Sequence, residues 1–160
     1  MDKVFVRKSK VNGKGLFVTQ PISKGQKIFQ VKGEIVNLEK FFALTQVVRD
    51  NTFRLSKNFY LNPRGELGDY LNHSCQPNAK VVKKDRRLFI ESIESIKQHQ
   101  EVVIDYSTIL AADDYWVMKC DCGTLKCRSI IKRINLLPKS VFKTYMSMEL
   151  IPKYILNIRQ

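Results

Sequence analysis

Asp69-Tyr70-Leu71-Asn72-His73-Ser74-Cys75-Gln76-Pro77-Asn78 is the stretch on which the reading of this chain turns. It sets a carboxamide, an imidazole, a hydroxyl and a thiol side by side. His73 alone would more often be a satisfied core or loop histidine than a functional one. Cys75 gains meaning from its distance to its fellows, because every other cysteine lies in Cys120-Asp-Cys122-Gly-Thr-Leu-Lys-Cys127. Neighbouring thiols such as Cys120 and Cys122 are poorly placed to bridge one another and well placed to grip one metal ion. Four thiolates complete a tetrahedral zinc site, and Gly123 allows the backbone to turn around it. Two disulfides or four unrelated thiols are the competing readings. Spacing alone does not bring Cys75 to the cluster.

Short apolar stretches set off by Gly, Pro and Asn fill the first two thirds of the chain. Val4–Arg7, Leu16–Val18, Lys27–Val31, Ala79–Val82, Leu88–Ser92 and Val102–Tyr106 read as strands. Leu38–Val48 has helical spacing, and a second amphipathic helix is expected from Pro138, stopped by Pro152. The predicted class is mostly β with short helices and a helical C-terminal tail. Two further motifs stand out on either side of the 69–78 stretch. Gly13-Lys14-Gly15-Leu16-Phe17 is weak evidence by itself, usually a tight turn. In Glu101-Val-Val-Ile-Asp-Tyr106, the terminal tyrosine would by itself more often be packing.

Taken together and in this order, these motifs resemble the SET-domain family of protein-lysine methyltransferases, in a minimal form with post-SET zinc-binding cysteines. Asn72-His73-Ser74-Cys75 with Pro77-Asn78 carries most of the resemblance, which runs over roughly residues 4–131. It implies a fold of small twisted β-sheets with a C-terminal pseudoknot. The implied division is a SET domain over 1–116, a post-SET zinc segment over 117–131 and a helical tail, 132–160, packed on the same domain. The implied activity is methyl transfer from S-adenosylmethionine (SAM) to the ε-amine of a protein lysine. Tyr106 would be the catalytic residue; Gly13, Lys14, Gly15, Leu16, Phe53, Asn72, His73 and Tyr106 would meet the cofactor. Cys75, Cys120, Cys122 and Cys127 would hold a structural Zn2+. Ile104 occupies a position that in the family influences how many methyl groups are added. The chain departs from the pattern at Gly68-Asp69-Tyr70, where an arginine is common, and at Cys127-Arg128-Ser129 in place of Cys-Arg-Gly.

Composition bounds the alternatives. A chain of 160 residues, 44% hydrophobic, suits one domain with a genuine core, and no apolar run approaches the ~18–20 residues that span a bilayer. The expectation is a soluble intracellular protein, nuclear or cytoplasmic, with no membrane partner. The net charge of +13 is uneven. Residues 1–32 hold eight basic and one acidic side chain, residues 117–160 nine and two, and the middle is close to neutral. Basic ends suit nonspecific contact with nucleic acid, although a solvated basic surface is the plainer reading. The expected substrate is therefore a histone or another chromatin or ribosomal protein. Asp113 and Asp114 are candidates for the lining of a peptide groove. A catalytically silent SET domain acting as a binding module, and a zinc-ribbon-like nucleic-acid binder, are the alternatives.

Overall fold

Residues 3–158 are described by the structure, a computed structural model. In chain order the elements are β1 (Val4–Lys8), β2 (Lys14–Val18), β3 (Lys27–Val31), β4 (Glu34–Asn37), α1 (Leu38–Ala43), α2 (Gln46–Asp50), β5 (Phe53–Arg54) and β6 (Phe59–Asn62). They continue as β7 (Asn72–His73), β8 (Ala79–Lys84), β9 (Arg87–Ser92), β10 (Glu101–Ile104), β11 (Met118–Lys119), β12 (Ile130–Ile131), α3 (Lys139–Ser147) and α4 (Lys153–Leu156). Small sheets form in the orders β1-β2-β10-β7, β3-β9-β8, β4-β6-β5 and β11-β12.

Period-two alternation explains the central hairpin. Ala79 and Val81 on β8, with Leu88, Ile90 and Ser92 on β9, all turn inward. Asp85 and Arg86 connect the strands with φ values of 49° and 61°, as a two-residue hairpin turn of the primed type requires. The main core joins these side chains to Leu16, Val18, Ile28, Val31, Val102 and Ile104.

One pairing organises the site. β10 lies between β2 and β7, antiparallel to the first and parallel to the second. Val103 pairs with Asn72 and Ile104 with His73, so two motifs distant in sequence become neighbours.

Three boundaries differ from expectation. The Leu38–Val48 helix is two short ones, because Leu44 and Thr45 are extended and Thr45 stands at the head of α2. The strand ending at Tyr106 stops at Ile104; the Asp105 side chain accepts from the Ser107 N–H and starts a 3-10 turn, Tyr106–Ile109. Pro152 does not stop α3, which ends at Ser147. The chain reverses there through Glu149 at φ 53°, with the Leu150 N–H donating to Tyr145 O at 2.9 Å and the Glu149 N–H to Met146 O at 3.2 Å. Pro152 instead precedes the first turn of α4, where its missing N–H costs nothing.

The tail lies against the body. Tyr145, Leu150, Ile151, Ile155 and Ile158 form a second apolar cluster with Ala111 and Ile134, and the Tyr154 hydroxyl donates to Arg54 O at 2.9 Å. No described helix is long and apolar enough to cross a membrane.

Glu149 occupies a left-handed position that favours glycine at a helix C-terminus. Glu149→Gly should therefore raise stability by about 1 kcal/mol, read as a higher urea midpoint at unchanged m-value.

Candidate active site and metal centre

Asn72 anchors the N-terminal loop. Its Nδ2 donates to Asn12 O at 3.2 Å, Lys14 O at 3.1 Å and Glu101 Oε1 at 2.8 Å. Ser9 Oγ donates to the same carboxylate at 2.8 Å, so one buried amide and one glutamate tie the 9–15 loop to β10. Glycine is needed here for two separate reasons. Gly13 has φ +44° and open space where a Cβ would stand. At Gly15 a Cβ would sit 2.1 Å from Glu101 Oε1 and 3.1 Å from Asn72 Nδ2, so that glycine answers to packing on these side chains. Lys14 is exposed, and the Leu16 side chain is wholly in the core, leaving its backbone as the part able to meet a ligand.

His73 faces two ways. The Tyr106 N–H donates to its Nδ1 at 3.1 Å, and its Nε2 lies 3.3 Å from Cys75 Sγ. A ring nitrogen that accepts carries no proton, which assigns the hydrogen to Nε2, pointing at the sulfur. Burial lowers the imidazole to about 4, and Arg128 reinforces that against the opposing charge of Asp105. The ring is therefore neutral at physiological pH.

The four cysteines converge. Their sulfurs all lie within 4.8 Å of one another, and Cys75 Sγ is 3.7 Å from Cys120 Sγ. Tetrahedral zinc with bonds of about 2.3 Å separates its sulfurs by about 3.8 Å, so the set fits the ion. Burial pushes the Cys75 thiol up to about 11 and raises Cys120 as well, whereas at Cys122 burial is outweighed by hydrogen bonds, which bring the thiol down to about 6. The Arg128 N–H points to Cys75 Sγ at 3.4 Å and the Ser129 N–H to Cys127 Sγ at 3.4 Å. Gly123 turns at φ +70°.

Tyr106 stands between this centre and a cavity of about 290 Å³. Its hydroxyl donates to Leu71 O at 2.6 Å. Burial, and then the Glu101 charge, push its ionisation above the ordinary phenol range, so the group stays protonated. Phe41, Phe53, Tyr60, Leu71, Ile109 and Trp116 supply much of the cavity wall. Phe41 stacks on Tyr60 at 3.8 Å between ring centroids, and the Trp116 indole N–H donates to Asp50 at 2.5 Å. Phe53 thus belongs to the wall beside Tyr106, which residues 13–16 and Asn72 do not line. Ile104 is fully buried and lines none of this cavity.

Asp113 and Asp114 do line it, but their charge is engaged. Buried Arg54 donates to Asp113 Oδ2 at 3.0 Å and to Asp114 Oδ1 at 2.8 Å, and the Tyr60 hydroxyl donates to Asp114 Oδ1 at 2.7 Å. Sequence reasoning missed Arg54 and Tyr60, since nothing in a lone arginine on a short strand points to distant carboxylates. It also missed Asp105, whose role is carried by contacts to Arg128 and Tyr145.

Comparison with known proteins agrees with this geometry. The SET-domain family model matches residues 13–107, well over half of the chain. The chain belongs to the SET-domain family. Among curated relatives, Histone-lysine N-methyltransferase ASHH2 of Arabidopsis thaliana is 26% identical over 134 residues, which is 74% of this chain and 7% of that protein. The H3 lysine-4 specific histone-lysine N-methyltransferase of Kluyveromyces lactis is 25% identical over 136 residues, 78% of this chain and 14% of the relative. The chain thus spans a small fraction of these relatives. In fold it resembles a chain of a humanized mutant of the Chaetomium thermophilum Polycomb Repressive Complex 2, with a TM-score of 0.58 at 23% identity, covering 66% of this chain and 15% of that one. Family membership sets aside the zinc-ribbon reading as an account of the fold.

The convergence of thiols carries a direct test. Protein purified under reducing conditions should carry one zinc per chain by plasma emission spectrometry. Cys75→Ser should lose most of it and unfold at lower temperature.

Proposed function

We propose that this SET domain is a SAM-dependent protein-lysine N-methyltransferase with Tyr106 as its catalytic residue and a structural zinc in the four-cysteine centre. The observation that carries the reading is Tyr106 itself, a protonated phenol held at its hydroxyl by Leu71 O, at its N–H by His73, and facing a largely apolar cavity. SAM supplies an electrophilic methyl on a sulfonium. Gly13 to Leu16, Asn72 and His73 would hold it, with open space at Gly13 to admit a ligand against the main chain.

The chain's own residues account for the remaining requirements. A lysine amine reacts only as the neutral base, although its ordinary pKa is ~10.4. The aromatic wall favours the uncharged form by desolvation. Because the Tyr106 hydroxyl donates to Leu71 O, it presents oxygen lone pairs that can accept from an amine N–H and orient it. It does not serve as a base, since burial keeps its proton in place. Phe53 contributes to the wall beside the amine in this arrangement.

Two features bear on the substrate. The curated relatives are named for histones, and the surplus basic charge of this chain suits a protein accompanied by nucleic acid. A histone or another nucleic-acid-associated protein fits both.

Purified protein with radiolabelled SAM should label a band among core histones, nucleosomes or basic cell-extract proteins, and Tyr106→Phe should lower the rate about a hundredfold or more. Absence of label on every protein, with SAM binding intact, would favour the silent module instead.

The pH profile has a definite sign. Raising pH deprotonates the amine and leaves Tyr106 protonated, so kcat/KM should climb with pH and show no falling limb from Tyr106 below about pH 10.

A further inference from the structure

Asp105 is 1% exposed, and each of its oxygens has two donors. Oδ1 accepts from the Ser107 N–H at 3.0 Å and Arg128 Nη2 at 2.8 Å. Oδ2 accepts from Arg128 Nη1 at 2.6 Å and the Tyr145 hydroxyl at 2.7 Å. A carboxylate offers about four lone-pair directions, and here all are used. The donors come from three parts of the chain: the turn carrying Tyr106, the residue after Cys127, and the middle of α3. Tyr145 also lies within 3.5 Å of Cys75 O and of Arg128 Nη1. Among the described residues its hydroxyl is thus the tail's one hydrogen bond to the buried carboxylate beside the Tyr106 turn.

We infer that Tyr145 is a positioning residue, through which helix α3 fixes the Asp105 carboxylate and thereby the turn that presents Tyr106. The inference rests on the methyltransferase reading for its kinetic consequence but not for its structural one. Asp105 immediately precedes Tyr106 and starts its turn through the Ser107 N–H. Arg128 meets both oxygens as a bidentate fork, which aligns the guanidinium with the carboxylate plane. The Tyr145 hydroxyl adds a donor on Oδ2 from α3, which ties this pair to the tail and supports the Asp105–Ser107 bond. Removing the hydroxyl leaves Oδ2 with one donor in a site that water does not reach, and the turn gains freedom. Tyr145→Phe keeps the ring in the tail cluster and removes only that bond.

The test compares Tyr145→Phe with Val141→Ala, which loosens α3 packing without approaching Asp105. Two readouts are needed: kcat and KM for both substrates, and hydrogen exchange of the Tyr106 and Ser107 amides. Tyr145→Phe should lower kcat about tenfold with both KM values near wild type, and should speed exchange at these amides. Val141→Ala should lower the melting temperature while leaving kcat and that exchange unchanged. Unchanged exchange in Tyr145→Phe overturns the inference. So does faster exchange with unaltered kcat, or an equal kcat loss in Val141→Ala, which would mark a merely structural role. Should wild-type protein transfer no methyl group at all, the methyltransferase reading falls, while the exchange comparison still decides whether Tyr145 holds the turn.

Discussion

The rest of the site depends on the parallel pairing of β7 with β10. Two residues on each strand suffice to set Asn72 beside Val103 and His73 beside Ile104. Parallel pairs need a crossover, and here it is residues 74–100, which hold the β8–β9 hairpin and then Ile96, bridged to Ile22 outside the crossover. From that register follow the reach of Asn72 to Glu101, the reach of His73 to the Tyr106 amide, and the delivery of Cys75 to the other thiols. A slip of one residue would turn His73 to the opposite face and break the last two together.

His73 is consequently a joint between two chemistries. One nitrogen accepts from the backbone of Tyr106, and the other points its proton at Cys75. Outer partners of this kind orient metal ligands and raise or lower their basicity. The metal centre, in this arrangement, is not a remote staple on the C-terminal segment. It shares an imidazole with the turn that carries Tyr106, as it shares Arg128, whose N–H meets Cys75 while its guanidinium meets Asp105. Buried polar side chains are partnered throughout the described residues, which is what a site built from so many buried donors and acceptors requires.

What the chain made legible in advance was whatever announces itself by local pattern. Short apolar stretches between turn residues marked Lys27–Val31 to the residue and located β8 and β9, and the Asn-His-Ser-Cys and Asp-Tyr motifs pointed to the family. The approach of Cys75 to Cys120, Cys122 and Cys127 was implied by resemblance and is present in the geometry. Boundaries failed where side chains took over from periodicity: Asp105 ended a strand early by accepting from Ser107, and Glu149 ended a helix early by turning left-handed. Phe53 was read for the cofactor and lies in the cavity wall. Arg54, Asp105, Arg128 and Tyr145 were illegible as a group because their function is mutual; none is informative until the fold brings its partner within 3 Å.

Electrostatics of the cavity sharpen the view of what it can select. Two aspartates in its wall suggested attraction for a basic substrate, but Arg54 spans them both and the Tyr60 hydroxyl further occupies Asp114. Burial and the Asp114 charge raise Tyr60's own ionisation, so this hydroxyl too remains a donor rather than a charge. One arginine against two carboxylates leaves this group a single negative charge, spread over hydrogen bonds to Arg54 and Tyr60. A neutral amine still loses far less hydration than an ammonium on entering among the aromatic side chains. In such a cavity aromatic walls such as Phe41, Phe53 and Trp116 favour the neutral form, while the residual carboxylate charge is available to attract a basic chain to its mouth. On the proposed activity, the aromatic wall would favour the same neutral form of the lysine that reacts, and a protonated phenol would then need only to orient it.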